Sequence, residues 1–148
     1  MASPQSPQSE TPGHFRFEFD PVNNILMVRF EGHLTLGLVE DFYREGKRHW
    51  IGTGARAAIL DGSSVTNVAL SSDLIRQLAR REPVSELFGR PRVFVVPRTE
   101  VFGLARMFQI SGESKQPFLH VVRTMDQAYT LLGVQSPNFE PIEDRRAS

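Results

Sequence analysis

Apolar and polar positions alternate first at the amino end. Phe15, Phe17 and Phe19 are separated by Arg16 and Glu18, the period of two that marks a half-buried strand. Asp20-Pro21-Val22-Asn23-Asn24 is turn chemistry, and Ile25–Phe30 (ILMVRF) follows as the returning arm of a hairpin. Gly32 and His33 are expected to end that strand. From Thr35, a suitable helix cap, the spacing changes to a helical one, with Val39, Phe42, Tyr43, Gly46 and Trp50 recurring until Gly52 and Gly54 close the element.

A strand-then-helix rhythm follows. Ala57–Leu60 predicts a strand ending at Asp61, and Gly62–Asn67 reads as a polar loop. Ser71 or Ser72 can cap a helix through Arg81, with Leu74, Ile75, Leu78 and Ala79 on one face and Pro83 stopping it. Val93–Val96 is a continuous apolar run, as in a strand covered on both faces. Thr99 is the expected cap of a helix over Glu100–Ile110, and Leu119–Val122 is the next strand. Thr124-Met125-Asp126-Gln127 has capping-box spacing before a last helix that ends at Gly133. A hairpin followed by alternating α and β segments predicts an α/β fold with a mixed, mainly parallel sheet packed with helices.

Residues 1–13, built from Pro, Ser, Gln and Glu, have no large apolar side chain apart from Met1 and read as a disordered tail. The folded domain is expected over residues 14–134. The stretch 135–148 is expected to be loose, although Phe139 and Ile142 can tack it onto the body.

Composition then narrows the chemistry. Seventeen Lys and Arg balance seventeen Asp and Glu, which argues against nucleic acid as a partner. The absence of cysteine excludes disulfides, zinc-thiolate sites and a cysteine nucleophile. No apolar run approaches a membrane span, and the first residues lack the apolar stretch of a signal peptide, so a cytoplasmic location is expected. Phosphate-loop, dinucleotide and nucleophile-elbow motifs are missing. The four histidines are scattered, so neither a metal site nor a cofactor is expected.

Two regions carry candidate sites. If parallel strands end at Asp61, Pro97 and about Arg123, the loops after them share one sheet edge, the usual ligand side of such sheets. That edge would gather Asp61, Ser63, Ser64, Thr66, Ser71, Ser72, Arg98, Thr99 and Thr124 near helix N-termini, an arrangement suited to an anion. The bland reading is that these hydroxyls only cap helices and build turns. In the helix Glu100–Ile110, Val101, Leu104, Ala105 and Phe108 form a stripe facing the sheet, while Phe102, Met107 and Ile110 fall outside it with Arg106. Either the Ser85–Phe88 segment or the C-terminal tail covers that outer side, or it is an apolar surface for a partner.

The hairpin-led order and the segment Asp61-Gly62-Ser63-Ser64-Val65 through Ser71-Ser72-Asp73-Leu74 resemble the STAS domains of anti-sigma-factor antagonists and sulfate transporters. Pro91–Val95, Phe102–Phe108 and Val121–Thr124 are similar to the stand-alone bacterial STAS-like proteins, over essentially the whole folded region. Leu70 and Asp73 stand where the antagonist pattern has an acid and a glycine. The resemblance implies a STAS-like fold and a non-enzymatic regulatory module that binds an apolar small molecule, a membrane surface at the periphery, or a protein partner. A homodimer is a further option. Phe102, Arg106, Met107 and Ile110 are then the expected contact surface. The alternative it implies is a phosphoswitch in which Ser71 or Ser72 accepts the phosphate and the added charge expels a partner. An enzyme has only the polar sheet edge in its favour.

Overall fold

The computed structural model describes residues 12–81, 90–113 and 118–142. Six strands form one sheet: β1 (His14–Asp20), β2 (Ile25–Leu34), β3 (Ala57–Val68), β4 (Arg92–Val95), β5 (Leu119–Val122) and β6 (Glu140–Pro141). Four helices connect them: α1 (Leu36–Thr53), α2 (Ser72–Ala79), α3 (Thr99–Ser111) and α4 (Met125–Leu132). The strand order is β5-β4-β3-β2-β1-β6. The β5-β4, β4-β3 and β3-β2 pairs are parallel, whereas β1 is antiparallel to both β2 and β6. The fold is therefore α/β with a mixed sheet.

The hairpin closes as its residues require. Asp20 is fully buried, and its Oδ1 accepts from the N–H groups of Val22 and Asn23, both at 3.0 Å. Oδ2 accepts from Asn23 Nδ2 at 2.8 Å and from the Asn138 N–H at 3.0 Å. Burial alone would raise this carboxyl, but the surrounding N–H donors outweigh it and hold it below the ordinary aspartate range. Asn138 belongs to the stretch expected to be loose. From Gln135 to Ile142 that stretch is instead laid on the body. Asn23 exchanges two hydrogen bonds with the Gln135 backbone, β6 pairs with β1, and Phe139 and Ile142 pack on opposite faces of the sheet.

Two strands run further than their local patterns predict. β2 continues through Gly32 and His33 to Leu34, with Gly32 at φ 82°, a conformation open to glycine. β3 continues through the presumed loop to Val68, because it stays paired to β2 from Ile25↔Ala57 to Leu34↔Val68. Register shifts after Arg29 and after Gly32 absorb the extra residues. Pairing between distant strands overrides the polar composition of 62–67. The remaining elements fall close to expectation, except that Arg98 and not Thr99 is the N-cap of α3. Pro83, Ser85–Phe88 and most of the N-terminal tail lie outside the described residues. Gly13 is described, and it sits so close that a Cβ there would come within 1.9 Å of the His33 carbonyl oxygen.

The ILMV run of β2 is buried on both sides of the sheet. On one side Leu26, Val28, Phe30, Ala58 and Leu60 meet Trp50 of α1. On the other Ile25, Met27, Ile59, Val93 and Val95 meet Ala128 and Leu132 of α4. Trp50 Nε1 donates to the Ala55 carbonyl at 2.9 Å, just past the left-handed Gly54 that ends α1. Thr124 and Gln127 form the expected capping box on α4.

At the β5 edge, Arg92 N–H donates to Phe118 O and Val96 N–H to Val122 O, both at 2.9 Å. This phase turns the backbone groups of Leu119, Val121 and Arg123 away from β4. Gln109 of α3 donates to Leu119 O at 2.9 Å, and Gln127 Oε1 accepts from the Arg123 N–H at 2.9 Å.

Candidate functional site

The polar sheet edge resolves into separate structural contacts. Asp61 is not the last residue of its strand but lies level with Val95, at the end of β4, while β3 runs on beside β2. Its carboxylate binds Arg29 Nη1 at 2.7 Å and accepts from the Ser63 N–H at 3.0 Å. Arg29 Nε in turn binds Glu18 at 3.0 Å. Once β4 has ended, the carbonyls of Val65 and Thr66 are met by Arg98 Nη1, at 3.1 and 2.9 Å. Thr99 Oγ1 accepts from Arg123 at 3.4 Å, and Thr124 Oγ1 accepts from Gln127 N–H at 3.1 Å. Asp61, Arg98, Thr99 and Thr124 thus cap or bridge their own neighbourhood, while Ser63 and Thr66 take part through backbone groups. Ser71 Oγ accepts from Leu74 N–H at 3.1 Å as the N-cap of α2, and Ser72 follows it, exposed.

The outer residues of α3 are partly engaged. Arg123 lies over the Phe102 ring, 4.2 Å from its centroid, and Arg106 bonds Gln109. Met107 is half-buried, while Ile110 is 58% exposed. The inner stripe has the more unusual setting. None of the thirteen residues of α3 is fully buried, although Val101, Leu104, Ala105 and Phe108 all point toward the sheet. They line a cavity, across which the Phe108 ring meets Phe94 with centroids 5.7 Å apart.

That cavity has a volume of about 150 Å³ and lies between the sheet and α1, α2 and α3. The sheet supplies Phe30, Leu60, Val65 and Phe94; Val39 and Phe42 come from α1, and Ile75 and Leu78 from α2. Gly62 also lines it, where a Cβ would come 3.1 Å from the Val95 carbonyl oxygen. The bulged continuation of β3 brings Val65 and Val68 to the lining, so the segment Gly62–Asn67 expected as a loop, together with Val68, builds part of the site. No family model and no curated protein matches this chain. The site therefore stands on its own geometry.

Among the side chains lining the cavity, Tyr43 alone carries a hydrogen-bonding group. Burial pushes its phenol above the ordinary tyrosine range, against the charges of Arg81 and Arg92, which favour the phenolate. The Arg81 guanidinium lies 5.0 Å from the Tyr43 ring centroid and grips Glu40 through two hydrogen bonds of 3.1 and 2.7 Å. Glu40 follows the lining residue Val39, and Arg81 lies one turn beyond Leu78. The ion pair thus joins α1 to the end of α2 beside the lining. Sequence reasoning found the α3 stripe but passed over Tyr43, Glu40 and Arg81. Their signal was weak, because an acid and an arginine forty-one residues apart show no local pairing.

No described helix is long and apolar enough to cross a membrane. Among the described residues no cluster of three His, Asp or Glu side chains could hold a metal ion.

Proposed function

We propose that the protein is a non-enzymatic, STAS-like binding module that encloses a small apolar molecule between its sheet and α1, α2 and α3. The observation that carries this reading is the cavity of about 150 Å³, whose lining side chains are hydrocarbon apart from Tyr43. Ligand sites are characteristically concave and apolar with a few polar groups, whereas packed cores leave few voids larger than water. An apolar cavity of this size can hold a benzene ring. Such a lining has no acid–base pair with which to run a reaction, which favours binding over catalysis. The mixed α/β sheet is compatible with the STAS-like assignment.

The reading moves the expected contact surface from the outside of α3 to its inside. The test is calorimetric titration with 1-octanol. Ala105→Phe, which fills the cavity from α3, is expected to abolish binding while circular dichroism stays unchanged. Phe102→Asp and Ile110→Asp, on the outer side, are expected to leave it intact. Undiminished binding to folded Ala105→Phe would sink the proposal.

The phosphoswitch is a second reading, favoured by one observation: Ser71 and Ser72 are exposed and stand between the lining residues Leu70 and Ile75. Of the two, Ser72 is the better acceptor, because the Ser71 hydroxyl is engaged as the helix cap. Intact mass of protein from its native cells tests it, since a phosphate increment absent from both serines rules it out.

A further inference from the structure

The cavity lining is apolar except at Tyr43, and the Arg81–Glu40 ion pair lies against that residue from outside the lining. Tyr43 presents the single hydroxyl of the lining. Arg81 lies over its ring, with the guanidinium 46% exposed as a side chain and bonded to Glu40, itself 42% exposed. Arg92 precedes Phe94 by two positions on β4, hence on the same sheet face, and its charge also reaches the Tyr43 phenol. A wholly apolar ligand would leave the Tyr43 hydroxyl and the Arg81 guanidinium unused, whereas an anionic head would engage them.

Resting on the binding reading above, we propose that the ligand is an amphiphile with a carboxylate head. Its hydrocarbon body fills the cavity, and its head takes the place of the Glu40 carboxylate on Arg81, beside the Tyr43 hydroxyl. Glu40 already shows the geometry such a head would adopt, two oxygens on two guanidinium nitrogens, the fork that arginine presents to carboxylates. The exchange is easy because an exposed ion pair contributes little to the fold. It is also balanced, since one carboxylate replaces another on the same guanidinium while Glu40 turns to water. The cavity's size fits a ring or a chain of about six carbons, on the scale of cavities that hold benzene. Two further carbons would carry the head to the rim.

The test compares octanoate, 1-octanol and octylammonium by calorimetric titration of the full chain at pH 7. Octanoate is expected to bind about tenfold tighter than the alcohol, the scale of one charge-assisted hydrogen bond, and octylammonium more weakly than either. Arg81→Gln should bring octanoate down to the level of octanol without changing octanol, and Arg81→Lys should restore part of the preference. Glu40→Gln removes the competing charge and should tighten octanoate by about threefold. A merely structural ion pair would not produce that gain. Equal affinity for acid and alcohol, or a preference that survives Arg81→Gln, overturns the carboxylate proposal and leaves the apolar cavity reading standing. Failure of all three probes to bind overturns the cavity reading, and the head-group proposal with it.

Discussion

Replacing Asp20 by Asn tests how the C-terminal stretch is held to the domain. The side chains have nearly the same shape, so the change is confined to charge and hydrogen bonding. One oxygen can still accept from Val22 and Asn23. The other position becomes an amide nitrogen that faces two donors, Asn23 Nδ2 and the Asn138 N–H. A buried donor left without an acceptor costs about 1–3 kcal/mol; with Asn23 half-buried and Asn138 exposed, water relieves part of the loss and the two together cost about 1–3 kcal/mol. Part of that is recovered if residues 135–142 detach and their amides reach water, and the lower half of the range is then expected. Urea unfolding followed through Trp50, the single tryptophan, measures the loss. Hydrogen exchange at the Asn138 and Ile142 amides locates it.

The pH dependence has a definite sign. The folded state holds the Asp20 carboxyl below its unfolded value, so the stability it contributes is complete above the unfolded aspartate pKa. It is lost as pH falls through the folded value. The wild-type advantage over Asp20→Asn should therefore be greatest near neutrality and shrink in acid. Equal midpoints at pH 7, or a gap that does not narrow on acidification, would refute the reasoning.

Other predictions probe helix geometry. A Cβ at position 112 would lie 2.4 Å from the Ala79 carbonyl oxygen, so Gly112→Ala must push α3 away from α2 and cost about 1–3 kcal/mol, read as a lower thermal midpoint. Thr124→Ala removes the cap of α4 and should cost about 1 kcal/mol by urea unfolding. Trp50→Phe removes the indole donor from the Ala55 carbonyl, which keeps Arg90 Nη1 at 3.0 Å, and trims the buried ring, at a cost of about 1–2 kcal/mol measured by circular dichroism.

Most of the elements were legible because their signals are local. The Phe15–Phe17–Phe19 alternation, the Thr35 and Thr124 caps, and Gly54 and Gly133 at helix ends each act within a few residues. The second halves of β2 and β3 were not legible. Segment 62–67 is polar except at Val65, and only its long parallel pairing, with two register shifts, makes it a strand. The same lesson holds for the site. The α3 stripe could be read from helical spacing, but the emptiness it faces depends on side chains from distant strands and helices. At the polar edge the sequence left two readings open, an anion site and hydroxyls that only cap helices and build turns. Hydroxyls and charges look available in a sequence, whereas here Arg29 holds Asp61, the Gln127 N–H engages Thr124 and Arg98 is spent on the Val65 and Thr66 carbonyls.

The two ends of the sheet bear on how this protein behaves when crowded. An unpaired strand edge invites another chain to add to it, and β5, with its LHVV sequence, has no charged residue to discourage that. Gln109 and Gln127 take up its outward carbonyl at Leu119 and the outward N–H at Arg123, two groups an incoming strand would need. At the opposite end β6 is only two residues long and includes Pro141, which has no N–H to give. Sheet growth is blunted from both sides. Association through a continuous sheet is thus disfavoured, and two glutamines that look like ordinary surface residues guard one edge against aggregation.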